Sequence, residues 1–216
     1  MDYSVIFDMD GVIFDTERMY LECCVPAAKR CGLNGIEEAA RKCIGLTKEA
    51  TERCLRDYFG EEAPIDQFHK NLGIEFRKRY EEAGIPVKRG AVEILTWLKE
   101  ERVPVALASS TESAIVRKEL ADENLDRFFD VIIGGEMAAR SKPAPDIFLQ
   151  AAELLKKDPA KCFVIEDSFN GVRAGTAAGM NVIMVPDMLP PDDEMYAKAF
   201  AIKSSLFEVL EYFRQL

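Results

Sequence analysis

Apolar positions along the chain fall into two kinds of run. Short continuous ones, at Val5 to Phe7, Val103 to Ala108, Val131 to Ile133, Cys162 to Ile165 and Asn181 to Val185, read as strands buried on both faces. Between them, apolar residues recur at helical spacing over Ala91 to Glu101, Ser113 to Asp122, Pro145 to Lys156 and Asn170 to Ala178. Alternation of this kind predicts an α/β fold with a doubly wound parallel sheet. Phe200 to Ile202 adds a short strand, Ser204 to the end an amphipathic helix, and the proline-containing run from Leu189 to Asp193 a loop.

From Phe14 to Gly84 the pattern is helical throughout. It predicts helices from Glu17 to Cys31, with Pro26 inside and Gly32 stopping it, from Ile36 to Cys43, from a Thr47 cap to about Phe59, and from Ile65 to Ala83. A plain βαβ unit takes roughly 30 residues, whereas about 90 separate Asp10 from the next strand. The surplus predicts an inserted all-helical domain, residues 15–86, within an α/β core of residues 1–14 and 87–216. Because the insert begins and ends beside the first strand's turn, it is expected to act as a lid over the carboxyl edge of the sheet.

Charge and composition narrow the function. The formal net charge of -10 over 216 residues, with no basic stripe, argues against nucleic acid and against anionic membrane surfaces. The chain enters its first strand at once, with no basic and apolar leader, so a cytoplasmic location is expected. The six cysteines show no metal-ligand spacing and read as free thiols acting as small hydrophobes. His69, the sole histidine, and Arg77-Lys78-Arg79 read as exposed helix positions, and Trp97 as packing against the sheet. Whether the chain is a monomer or an oligomer is left open.

The candidate chemistry lies where strands stop. Asp8 and Asp10, two apart at the end of the first run, lean to one side of the strand's carboxyl end, and Gly11 allows a tight turn there. Two carboxylates this close repel unless a cation, a shared proton or donors compensate; two unrelated surface acids are the plain alternative. The second strand ends Ser109-Ser110-Thr111 ahead of a helix, a set that suits an anion but equally suits helix capping by Thr111 or Ser113. Lys142 is stiffened by Pro143 and Pro145, as a fixed cation for phosphate would need. The fourth strand ends in Glu166-Asp167, and four acids on one rim favour a hard cation such as Mg²⁺.

Taken in order, Asp8-Met9-Asp10-Gly11-Val12, Ser109 after an apolar strand, Lys142 in K-P-x-P-D, and Glu166-Asp167-Ser168 with Gly171 resemble the four motifs of the haloacid dehalogenase superfamily of phosphohydrolases. The resemblance covers nearly the whole chain and implies a Rossmann-like core with a helical cap. It implies Asp8 as the nucleophile forming an aspartyl-phosphate, and Asp10 as general acid and base. It also implies Mg²⁺ on Asp8, the Asp10 carbonyl and Asp167, with Glu166 supporting, and phosphoryl contacts from Ser109, Lys142 and the backbone around Met9 and Ser110. Asp10 points to phosphate esters and away from halides, since dehalogenase members lack the second acid of this pair.

Within the superfamily the chain is similar to β-phosphoglucomutase and small sugar-phosphate phosphatases. Tyr20 stands where the mutases carry a cap histidine, and Lys48 stands where they carry an arginine for a distal phosphate. The leading expectation is a Mg²⁺-dependent phosphatase of a small phosphorylated metabolite, with a sugar phosphate foremost. A phosphosugar mutase comes second, and a non-enzymatic receiver-like phospho-acceptor module third.

Overall fold

The computed structural model describes residues 2–44, 46 and 48–216, with the side chains of Lys48 and Glu49 outside that set. The chain divides into two compact units: Met1–Phe14 with Val87–Leu216, and Asp15–Pro86.

The first unit is built on six parallel strands: β1 (Ser4–Phe7), β2 (Val105–Ala108), β3 (Val131–Ile133), β4 (Cys162–Glu166), β5 (Asn181–Met184) and β6 (Ala201–Ile202). Their order across the sheet is β3-β2-β1-β4-β5-β6. The register is continuous, Ile6 standing opposite Ala106 on one side and Val164 on the other. This is the doubly wound parallel sheet predicted from the apolar runs.

Alternation along the strands assigns residues to the two faces. Ile6, Ala106, Val164 and Val182 belong to a core cluster with Phe148 and Val172, which come from α7 (Asp146–Leu154) and α8 (Phe169–Ala177). On the opposite parity, Phe163 meets Phe213 of α10 (Leu206–Phe213) edge-on, with ring centroids 5.3 Å apart. That helix lies against α5 (Ala91–Glu100). Continuous apolar strands are the consequence of having both faces covered.

Several boundaries differ from the periodicity, each for a local reason. The second strand begins at Val105, because the Val103 N–H bonds the Leu98 carbonyl at 2.9 Å and Arg102 takes a positive φ, so Val103 closes the preceding helix. After the expected loop at Leu189 comes a short helix, α9 (Asp193–Lys198), which the pattern missed. Asp192 starts it by accepting from the Met195 N–H at 2.9 Å. Six residues are too few to show a period. Between β2 and β3 lies α6 (Ser113–Asp122).

The second unit holds α1 (Thr16–Lys29), α2 (Ile36–Cys43), α3 (Lys48–Phe59) and α4 (Ile65–Ala83). Pro26 lies inside α1. α1 and α4 pack along each other, tied where Asn71 Nδ2 donates to the Ala27 carbonyl at 3.2 Å and where Arg30 pairs with Glu75 at 2.6 Å. The Thr47 cap expected from the sequence lies outside the described residues. Among the described residues, no helix is long and apolar enough to cross a membrane.

Phe148 is fully buried in the sheet-facing cluster. Phe148→Ala removes a large ring from a close-packed interior and is expected to cost about 3–5 kcal/mol, read as a lower urea midpoint. A change below about 1 kcal/mol, typical of an exposed site, would contradict the packing described.

Candidate active site

The sheet's strand order reverses between β1 and β4, and a crevice opens outside the carboxyl ends of strands at such a point. Both acid pairs end there. The Asp8 N–H donates to the Ile165 carbonyl at 3.0 Å, which holds the first carboxylate beside the end of β4. The chain then turns tightly, the Met9 carbonyl accepting from Ile13 at 2.8 Å and from Phe14 at 3.0 Å. Gly11 sits at φ +78°, and a Cβ there would overlap the Asp167 carboxylate, so this loop and the one after β4 close on each other only with glycine at that position.

Lys142 joins the two acid-bearing ends. Its Nζ donates to Asp8 Oδ1, to Glu166 Oε1 at 2.8 Å and to the Ala108 carbonyl at 3.2 Å, which uses all three ammonium protons. It also lies 4.7 Å above the Phe148 ring. Asp8, Glu166 and Lys142 are only 6 %, 1 % and 9 % exposed, so water does little to screen these charges. Burial opposes the ammonium charge, but the Asp8 and Glu166 carboxylates more than offset it and hold Lys142 above the ordinary lysine range. Burial pushes the Asp8 carboxyl up to about 8, with Lys142 opposing and the charges of Glu166 and Asp10 adding to the rise. One lysine facing two buried carboxylates leaves the cluster short of positive charge.

That shortage is what a cation would relieve. Carboxylate oxygens of Asp8, Glu166 and Asp167 lie within 4.8 Å of one another. Glu166 is committed on both sides, Oε1 to Lys142 and Oε2 to the Ser168 N–H at 2.8 Å and its hydroxyl at 3.0 Å. An all-oxygen, anionic set of this kind fits a hard divalent ion such as Mg²⁺. The Asp10 side chain lies outside the group and faces the end of β2 instead.

There Asp10 Oδ2 accepts from Thr111 Oγ1 at 3.2 Å and from Ser109 Oγ at 3.4 Å, while the Thr111 N–H donates to Ser109 Oγ at 3.0 Å. Ser109 is fully buried. Ser110 lines a cavity of about 160 Å³ with Arg140, Ser141 and Lys142. Thus Asp8, Asp10, Ser109, Ser110, Lys142, Glu166 and Asp167 meet at one rim, whereas the Lys48 side chain lies outside the described residues.

Glu119 of α6 was not singled out by the sequence. Burial, and then the charge of Asp10, push its carboxyl up to about 7. Nothing in the helical pattern marks it, since only the fold turns that position toward Asp10.

A model of the family described as Haloacid dehalogenase-like hydrolase matches residues 5–185. The chain belongs to that family. It is an enzyme of the hydrolase class, as its ordered motifs implied. This hydrolase is 35% identical over 95% of its length to the Bifunctional riboflavin kinase/FMN phosphatase of Arabidopsis thaliana, of which it spans 54%. It is 32% identical to the Phosphorylated carbohydrates phosphatase of Thermotoga maritima, over 83% of each chain. A Thermotoga maritima crystal structure provisionally called a beta-phosphoglucomutase superposes with a TM-score of 0.82 at 30% identity, covering 99% of both chains.

Glu119 gives this hydrolase a pH signature. Its folded pKa is raised to about 7 above an unfolded value of about 4.3, so between those values the native state binds the extra proton and stability falls as pH rises. Glu119→Gln is expected to flatten the decline in thermal midpoint between pH 5 and 8. An unchanged slope would mean that burial and Asp10 do not raise the Glu119 carboxyl.

Proposed function

We propose that this hydrolase is a Mg²⁺-dependent phosphatase of small phosphorylated metabolites, sugar phosphates foremost, working through an aspartyl-phosphate on Asp8. The observation that carries the reading is the division of the two acids. Asp8 is clamped by a lysine ammonium, while Asp10, two residues on, is held by hydroxyls. A nucleophile must be fixed and ionised, which for the buried Asp8 would take the cation as well as Lys142, whereas a proton carrier must be able to change state.

In this reading a carboxylate oxygen of Asp8 attacks phosphorus in line with the ester oxygen. The P–O bond to the leaving group breaks, and Asp10 gives its proton to the departing alkoxide. Asp10, now ionised, takes a proton from water as that water attacks the phosphoaspartate, which regenerates Asp8 and releases inorganic phosphate. Lys142, exchanging its bond to the Ala108 carbonyl for a phosphoryl oxygen, and Ser109 bind the phosphoryl group, with Ser110 beside them, so positioning and charge neutralisation supply most of the rate. Mg²⁺ on Asp8, Asp167 and the Asp10 carbonyl, with Glu166 behind, would neutralise charge on the nucleophile and the phosphoryl group. Residues 15–86 act as the cap that selects the alcohol.

A phosphomutase is the second reading, supported by the name of the Thermotoga maritima structure. Tyr20 favours the phosphatase. Its hydroxyl is pushed above the ordinary tyrosine range by burial and by Cys24, its hydrogen-bond partner. A group that stays protonated at neutral pH cannot relay protons to control when water reaches a phosphoenzyme.

Asp8→Asn is nearly isosteric and is expected to fold normally while retaining less than about a hundredth of wild-type phosphate release, as loss of a nucleophile demands. Chelation by EDTA should abolish turnover and added Mg²⁺ restore it. Substantial turnover by Asp8→Asn, or full activity in chelator, would overturn the respective assignment.

With β-glucose 1-phosphate and a trace of the bisphosphate, phosphate release should accompany each turnover. Glucose 6-phosphate appearing much faster than inorganic phosphate would instead establish the mutase.

A further inference from the structure

We propose that Thr111 is the positioning residue for Asp10, and that its hydroxyl fixes which Asp10 oxygen faces the leaving group. The inference rests on the phosphatase reading and extends it to a residue outside the four motifs. At the end of β2, Thr111 had two ordinary alternatives: capping α6 or binding an anion. It caps nothing, because Glu112 occupies the cap position without a side-chain bond, and the Ser113 N–H is satisfied by Glu136 at 3.0 and 3.1 Å. Its hydroxyl goes instead to Asp10 Oδ2 at 3.2 Å.

The backbone of Thr111 is pinned on both sides of that contact. Its N–H donates to Ser109 Oγ at 3.0 Å, and its carbonyl accepts from the Gly135 N–H at 2.9 Å. A Cβ on Gly135 would collide with the Ser110 carbonyl, so this approach requires glycine. A β-branched side chain on a fixed backbone has few rotamers, and the hydroxyl is aimed by packing as well as by its bond.

A proton count then separates Thr111 from Ser109. Each hydroxyl has one proton to donate. Ser109 gives its proton to Asp10 in the free enzyme and must give it to a phosphoryl oxygen when substrate is bound. Thr111 has no second acceptor to serve and keeps Asp10 through both states. With Oδ2 accepting from both hydroxyls, Oδ1, which accepts no hydrogen bond among the described residues, is the oxygen left to face the leaving group. Oδ1 is therefore the oxygen that delivers a proton to the leaving group and later takes one from water.

The test is leaving-group dependence. An alkyl alkoxide needs protonation to leave and p-nitrophenolate does not, so loss of a positioned general acid should appear in kcat/KM for an alkyl phosphate and spare p-nitrophenyl phosphate. Thr111→Val keeps the shape and removes the donor; it should fall at least about tenfold on glycerol phosphate, within the contribution of a general acid, and less than about threefold on p-nitrophenyl phosphate. Thr111→Ser should restore the alkyl ester to within about threefold of wild type, an effect that a purely structural threonine would not show. Equal losses on the two esters, or no rescue by serine, would overturn the proposal. Asp10→Asn on the same pair tests the underlying reading separately: it should show the same split more strongly, and its absence there would remove Asp10 as the acid whatever Thr111 does.

Discussion

The ammonium of Lys142 holds the site together. It is the positive charge placed between two buried carboxylates from two different strands, Asp8 after β1 and Glu166 at the end of β4. Removing one partner from a buried ion pair leaves an uncompensated charge, typically at a cost of about 3–5 kcal/mol. Here the cost would fall on the seam where the sheet reverses its order. The same lysine accounts for features around it: Phe148 beneath the ammonium, the Ala108 carbonyl turned toward it, and Ser168 saturating the far oxygen of Glu166.

From that constraint follows the division of labour among the acids. Glu166 is locked with both oxygens engaged, Asp8 is fixed at the crevice, and Asp10 is turned away from the lysine toward the hydroxyls that follow β2. Side chains two apart on one loop thus meet opposite surroundings, one cationic and buried, the other neutral and hydrogen-bonding. Environments that differ in this way let two carboxylates of one motif serve different steps. Glycine at position 11, with its positive φ and no Cβ, is what permits the approach of Asp167 to the same point.

Much of this was legible in the sequence, for identifiable reasons. Apolar runs end sharply at Asp8, Ser109 and Glu166, and in a parallel sheet every strand end faces one rim, so these residues could be placed together without knowing the strand order. Lys142 stood out because Pro143 and Pro145 follow it. Thr111 was legible only as an anion-binding or capping candidate, since its choice between α6 and Asp10 depends on Glu136 reaching the Ser113 N–H from twenty-three residues away. Glu119 was invisible because helical periodicity says which face is apolar, not which acid approaches another. The helix after Asp192 escaped notice by its brevity, and the reversal between β1 and β4 is a property of topology that no local pattern carries.

The central claim is that phosphoryl transfer passes through Asp8 and not directly to water. Each in-line displacement inverts the configuration at phosphorus, so two in succession return it. Hydrolysis of a thiophosphate ester made chiral with oxygen isotopes, in isotopically labelled water, reads the count. The account predicts inorganic thiophosphate released with overall retention; inversion would mean a single displacement by water and would contradict it.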